Sequence, residues 1–199
     1  MPQSEEIQST SSISRTSAVA PIDVPNFDAL FQLFPDSADK PTAEVISPEQ
    51  VPAPYHDLLV HEEHMTVKVE SHYGEPVDVQ VLDCRMTKDE YARKILLALR
   101  DKKTVVQFGL PRIDLTACPA PVRDAILEGK TPLGRVLIEH NMLRSIKPTA
   151  FLRVRLGDVM ARWFGSRAGD VTYGRLGVIS TGDRPVIEVL EILSPIGGS

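Results

Sequence analysis

The sequence predicts an α+β fold built on one mostly antiparallel sheet, and three observations carry that expectation. After the Gly74-Glu75 turn signal, Val77, Val79 and Val81 alternate with polar residues, as in a half-buried strand. Two apolar runs, residues 91–99 and 104–110, are joined by the charged turn Asp101-Lys102-Lys103, which reads as a hairpin meander. A second hairpin, residues 173–180 and 185–193, turns about Gly182-Asp183-Arg184. Strand runs are broken by helices rather than alternating with them one for one, which favours α+β over a parallel α/β sheet.

A chain of 199 residues has room for one ordinary domain with tails and is long enough to bury a core. A formal charge of −5 argues against nucleic-acid binding, which normally needs a basic face. Cys84 and Cys118 lie far apart with no CxxC, so neither a disulfide scaffold nor a zinc cluster is read, and a reducing compartment is expected. The N-terminus lacks a basic start and an apolar core, and no apolar run approaches the ~20 residues needed to cross a bilayer. The expectation is a cytoplasmic protein without membrane partners, a monomer or weak homo-oligomer.

Residues 1–22 are rich in Ser, Thr, Gln and Glu and cannot bury enough surface to offset their ordering entropy; they read as a disordered tail. Residues 23–52 read as a docking element. Phe27, Leu30, Phe31 and Leu33 or Phe34 recur at helical spacing, and a proline-rich strap follows in which Val45 and Ile46 could touch the core. Residues 53–199 form the domain proper. Pro54 can start a helix through Val60. In residues 61–70, Met65, Val67 and Val69 alternate as in a strand, although a helix also fits. Pro119 to Glu128 is a helix with Val122, Ala125, Ile126 and Leu127 inward. Residues 142–155 are strand-like, and Asp158 to Phe164 is a short helix carrying the single Trp.

The corner Gly129-Lys130-Thr131-Pro132-Leu133-Gly134-Arg135 organises the chain. Gly129 suits a left-handed helix end. Thr131 fits an N-cap with Pro132 at the first helical position, and a second helix runs on to about His140. Free N–H groups at that start could receive a carboxylate.

Three side-chain patterns could carry chemistry. His61-Glu62-Glu63-His64 invites a metal, but the HExxH spacing is absent and no third ligand is evident, so no metal is expected. Arg93 shares a strand face with Ile95 and Leu97, where a cation needs a partner or an anion. Its planar fork suits a carboxylate. Glu191 is an acid in the apolar run Val189 to Leu193, and Glu188, three residues earlier, points to the opposite face of a regular strand.

Tyr91-Ala92-Arg93-Lys94-Ile95-Leu96-Leu97, the GKTPLGR corner and Leu190-Glu191-Ile192-Leu193-Ser194-Pro195 together resemble chorismate pyruvate-lyase (4-hydroxybenzoate synthase), in the broader bacterial branch of that superfamily. The resemblance spans roughly residues 53–195, with His64-Met65-Thr66 also matching. It implies a chorismate lyase-like sheet flanked by helices, with a ligand sealed inside beneath helical flaps. Arg93 would hold a ring carboxylate and Glu191 would lie by the ring oxygen as the catalytic pair. Met65 and Leu133 would be flap residues, with Thr131 and Gly134 donating backbone N–H groups to the substrate. It also favours a helix over residues 65–70.

Two departures stand out. Leu110 occupies the position of a second arginine, with Arg112 close but out of register. The last hairpin is one residue longer around Arg184-Pro185, which leaves Glu191 the better match and Glu188 the fallback.

The activity implied is cofactor-free elimination of pyruvate from chorismate to give 4-hydroxybenzoate, a carbon–oxygen lyase reaction driven by aromatisation and helped by orientation and preorganised charge. Two alternatives stand beside it. One is a related enzyme acting on another enolpyruvyl or cyclohexadiene acid. The other is a non-catalytic aromatic-acid-binding domain, like the ligand-sensing half of certain transcription regulators. Residues 1–50 are too short and proline-rich to supply the winged-helix module of such regulators.

Overall fold

The computed structural model describes residues 25–35, 37–142 and 145–197; the tail expected over residues 1–22 lies outside them. Among these residues the chain forms seven strands: β1 (Thr42–Ile46), β2 (Val77–Met86), β3 (Glu90–Leu99), β4 (Val105–Asp114), β5 (Ser145–Arg155), β6 (Val171–Thr181) and β7 (Arg184–Leu193). They make one sheet in the order β1-β5-β6-β7-β4-β3-β2, and every neighbouring pair is antiparallel. Among the described residues six α-helices flank it: α1 (Phe27–Gln32), α2 (Tyr55–Leu59), α3 (Met65–Tyr73), α4 (Ala120–Glu128), α5 (Leu133–Glu139) and α6 (Asp158–Phe164). The fold is α+β with a mostly antiparallel sheet. None of the described helices is long and apolar enough to cross a membrane.

The strand period sorts side chains onto two faces, each covered by its own helices. On one face Ala92, Leu96, Phe108, Leu110, Leu176, Leu190 and Ile192 pack with α1 and α6. Phe108 is stacked between Phe31, with ring centroids 6.0 Å apart, and Trp163, at 5.9 Å. Burying a side chain of that size contributes ~2–3 kcal/mol. On the other face Ile95, Leu97 and Leu193 meet α2 and α3, while Tyr91, Ile113 and Ile187 meet α4 and α5.

Part of the expected strap is itself a strand. β1 pairs with the free edge of β5, Thr42 opposite Arg155 and Ile46 opposite Phe151, and leaves Val45 73% exposed. Upstream, Lys94 reaches from β3 through the core to Asp39 Oδ2 (2.5 Å) and to the Ser37 hydroxyl, fixing the strap to the sheet.

Residues 65–73 are a helix, and the alternation of Met65, Val67 and Val69 is not a strand period. Met65, Thr66 and Val69 turn inward at helical spacing while Val67 faces out. Gly74, at φ +69°, ends α3 in the left-handed region and donates its N–H to the Glu70 carbonyl at 2.9 Å. The Glu70 carboxylate then accepts the Val77 N–H at 2.9 Å, which aims the chain into β2.

Gly129, at φ +72°, ends α4, but the next helix begins later than expected. The N-cap of α5 is Pro132, at φ −54° and ψ 137°, so Thr131 caps nothing and the helix opens at Leu133. There the Thr131 carbonyl faces inward, 3.5 Å from Arg93 Nη2, and Pro132 stays extended at ψ 137°, outside the helical turn.

The extra residue of the last hairpin is a bulge. Ile179 pairs with Ile187 and Ser180 with Pro185, which leaves Val186 between them without an opposite number. The bulge sets the phase of β7: Glu191 points to the α3–α5 face and Glu188 to the α1–α6 face.

Candidate functional site

Two rows of side chains cross the α3–α5 face of the sheet. Ile95, Gly109, Glu191 and Arg175 lie opposite one another across β3, β4, β7 and β6. One step along, Pro111 pairs with Val189 and Val189 with Gly177, with Arg93 two residues before Ile95 on β3. Arg93 and Glu191 therefore share a face, drawn from separate strands.

A small cavity lies over these rows. Its floor is Ile95, Leu97, Gln107, Gly109, Pro111, Val189 and Glu191, and its roof is His64, Met65 and Thr66 of the α3 start with Pro132, Leu133 and Gly134 of the α5 start. Gly109 leaves the floor open: a Cβ there would come within 3.0 Å of Ile95 Cδ1. The two helix starts meet in the roof, where Gly134 rests against His64 and Thr66. Its volume is about 50 Å³, whereas an engineered cavity that admits benzene measures ~150 Å³. The chamber sized for a six-membered ring, implied by the resemblance, is not open in this structure.

Arg93 is 0% exposed and sits just beyond the lining, beneath the α4–α5 corner. Nη1 donates to the Ile126 carbonyl at 3.3 Å and Nη2 to the Thr131 carbonyl at 3.5 Å, so the guanidinium closes the C-terminal end of α4 and the following turn. The negative end of the helix dipole offsets part of its charge. Nε makes no hydrogen bond, and no carboxylate pairs with Arg93 among the described residues. Burial pulls its pKa below the ordinary arginine value, opposed by the Tyr91 hydroxyl and the Cys84 thiol.

The other end of the site is acidic and amide-rich. Glu191 lines the cavity, but its Oε2 already accepts from Arg175 Nε at 2.7 Å. Gln107, 3% exposed, lines it too, and its Oε1 has no partner among the described residues. Arg175 and Gln107 were not foreseen. For Arg175 the signal was present, because Gly174-Arg175-Leu176-Gly177-Val178 is a lone cation in an apolar strand, the same pattern that marks Arg93.

The remaining expected residues are distributed as follows. Met65, Leu133 and Gly134 line the cavity roof, whereas Thr131 contributes its carbonyl to Arg93 and no lining. α5 has seven residues and a proline N-cap, so its start is not an anion cradle. Leu110 is fully buried on the opposite face, and Arg112 is held there by Glu188 (2.8 Å) and Glu90 (2.5 Å), so neither replaces a second cavity arginine. His61 and His64 have separate surroundings. His61 Nε2 bonds the Leu58 carbonyl at 2.7 Å, and His64 is at the buried start of α3. Burial and the Arg175 charge push the His61 pKa down to about 4.

No family model matches the chain, and no curated protein matches it. Solved structures do. YydK of Bacillus subtilis subsp. subtilis str. 168, a possible transcriptional regulator, is 10% identical over 62% of this chain with a TM-score of 0.46; the chain spans 61% of its length. A GntR-family transcriptional regulator from Bacillus cereus is 10% identical over 62% of this chain and 96% of its own, with a TM-score of 0.43. The C-terminal domain of the histidine utilization repressor from Pseudomonas syringae pv. tomato str. DC3000 is 10% identical over 62% of this chain and 97% of its own, with a TM-score of 0.42.

At 10% identity and TM-scores below 0.5, these likenesses assign this chain neither a family nor an activity. The expected membership of the chorismate pyruvate-lyases is corrected: the structures the chain resembles bear the names of regulators and regulator domains, not of enzymes. The carbon–oxygen lyase activity, with chorismate as substrate and 4-hydroxybenzoate and pyruvate as products, falls with it. Within the site, Glu191 Oε2 is engaged by Arg175 Nε at 2.7 Å.

Proposed function

We propose that this chain is a non-catalytic binding domain for a small carboxylic acid, received on the α3–α5 face of the sheet. The observation that carries the reading is Arg93, a guanidinium with no solvent exposure and no carboxylate partner among the described residues. A buried cation without a counter-charge costs several kcal/mol, and two long carbonyl bonds offset only part of that. A ligand carboxylate supplies the missing charge, and the planar fork takes it bidentately.

The opposite end selects the rest of the molecule. Glu191 and the unpartnered Gln107 Oε1 are both acceptors, so the ligand carries a hydrogen-bond donor, such as a hydroxyl, remote from its carboxylate. Between them Ile95, Leu97, Pro111 and Val189 provide an apolar bed for its body. The helix starts above must part to admit it, since the closed cavity is only about 50 Å³. Met65 and Leu133 then close over the bound acid as flap residues. No catalytic step is assigned to Arg93 or Glu191.

The test is calorimetric titration of the purified chain with benzoate, 3-hydroxybenzoate and lactate, with each acid recovered afterwards. Saturable binding, tighter for an acid with a hydroxyl, lost in Arg93→Met and leaving the acid unchanged, is the expected result. Equal binding by the native chain and Arg93→Met overturns the assignment.

A further inference from the structure

Arg175 is 2% exposed and uses its whole fork. Nε donates to Glu191 Oε2 at 2.7 Å inside the cavity floor. The two terminal nitrogens reach the other way. Nη1 donates to the carbonyls of Leu59 (3.1 Å) and His61 (2.9 Å), and Nη2 to the carbonyl of Glu63 (3.2 Å). Nη1 also lies 3.4 Å from His61 Nδ1, the acceptor nitrogen of a ring whose Nε2 is bound to the Leu58 carbonyl. All these carbonyls belong to the end of α2 and the short connector into α3.

That connector has two sides. Inward it runs straight into His64, Met65 and Thr66, which roof the cavity. Outward Glu62, Glu63 and His64 join Val67, Ile138, Asn141 and Met142 in an open groove of about 720 Å³. Arg175 is thus the shared partner of a carboxylate that faces the ligand space and of the backbone that shapes the groove. A guanidinium is rigid and planar, so a change at Nε rotates the plane that holds the three carbonyls.

We propose that Arg175 is a positioning residue that couples occupancy of the cavity to the placement of the α2–α3 connector, and so to the shape of the outer groove. The inference rests on the reading of the cavity as a carboxylic-acid site. A ligand hydroxyl that donates to Glu191 competes with Arg175 for the same carboxylate. Loosening the ion pair frees the fork, the carbonyls of Leu59, His61 and Glu63 lose their common donor, and the α3 start moves with them. The groove, rimmed by Glu62 and Glu63, changes shape with the connector.

Backbone amide hydrogen exchange on the full chain tests this, with 3-hydroxybenzoate as probe. Arg175→Met alone leaves Glu191 buried without a partner, so the decisive variant is Arg175→Met combined with Glu191→Leu, which removes both charges. Without probe, residues 60–66 of that variant are expected to exchange at least about ten-fold faster than in the native chain, with α6 unchanged. Arg175→Lys retains a charge for Glu191 but cannot span three carbonyls, so it should stay folded and still show the fast connector. In the native chain, saturating probe should alter exchange over residues 60–66, and in the Lys variant it should not. Native exchange rates in the double variant overturn the positioning role. Probe binding that leaves the native connector unchanged overturns the coupling. Failure of the native chain to bind any probe overturns the ligand reading and the coupling together, and the probe-free comparison tells that case apart.

Discussion

Gly134 of α5 rests directly on the start of α3: a Cβ at that position would lie 3.0 Å from Thr66 Oγ1 and 3.2 Å from His64 Cβ. The absence of a side chain lets the two helix starts touch in the cavity roof. Gly134→Ala gains helix propensity of up to ~1 kcal/mol. It also forces apart two helices that cannot yield at His64 Cβ, and overpacking of this kind costs ~1–3 kcal/mol. The expected net effect is a destabilisation of ~1 kcal/mol in urea unfolding. Thr66→Ala in the same chain should recover part of it, because it removes the nearest atom. A Gly134→Ala chain as stable as the native one would mean that the roof contact is loose.

Arg112 sits on the opposite face between two acids, Glu188 Oε1 at 2.8 Å and Glu90 Oε1 at 2.5 Å. Burial alone would lower its pKa, and the bonds to the two carboxylates outweigh this and raise it. Arg112→Met removes the shared cation and strands Glu188, which should destabilise the chain by ~3–5 kcal/mol. Combining it with Glu188→Leu should return most of that loss, since a well-packed apolar pair replaces a buried ion pair at little net cost. Equilibrium denaturation with an unchanged m-value is the measurement, and additive losses in the double variant would show that the two side chains are not coupled.

Elements marked by strong local chemistry were legible in the sequence. The meander of β2, β3 and β4 and the β6–β7 hairpin follow from alternation between turn signals, and α4 ends at Gly129 because only glycine takes φ +72° without strain. Less was legible where two signals agreed by accident. Met65, Val67 and Val69 satisfy a strand period, and only packing of Met65 and Val69 under α2 and α5 selects the helix. Thr131-Pro132 looks like a cap followed by a first turn, but Pro132 itself is the N-cap, with the Thr131 carbonyl facing Arg93 across a contact far apart in sequence. A one-residue bulge at Val186 decides which acid of β7 faces the cavity, and spacing within the strand cannot show it. The size of the cavity was illegible for a related reason, because it depends on how closely Gly134 approaches Thr66.

His61 provides a pH-dependent test of the connector. Burial first, and then the Arg175 charge, lower its pKa from 6.5 to about 4. Above pH 6.5 the ring is neutral in both the folded and the unfolded chain, so stability does not depend on it. Between pH 6.5 and about 4 the unfolded chain binds a proton that the folded chain does not, and stability falls as pH falls. For a sealed group the full interval would be worth ~3 kcal/mol. His61 is half-buried, and solvent screening reduces the loss to ~1–2 kcal/mol. Urea midpoints from pH 7 to pH 4.5 should therefore drop more steeply for the native chain than for His61→Gln, and parallel curves would remove His61 from the account.

Arg93 separates binding from stability. Its buried charge has two long carbonyl bonds and no counter-charge among the described residues, so it is a net cost to the folded chain. Methionine fills a similar volume without the charge. Arg93→Met should raise the stability of the ligand-free chain by ~1–2 kcal/mol while removing affinity for the probe acids. Saturating 3-hydroxybenzoate should stabilise the native chain by an amount set by its concentration relative to Kd, and should leave the variant unmoved. A marked loss of stability in Arg93→Met without ligand would instead make Arg93 a capping residue of α4, with the Ile126 and Thr131 carbonyls as its sole purpose.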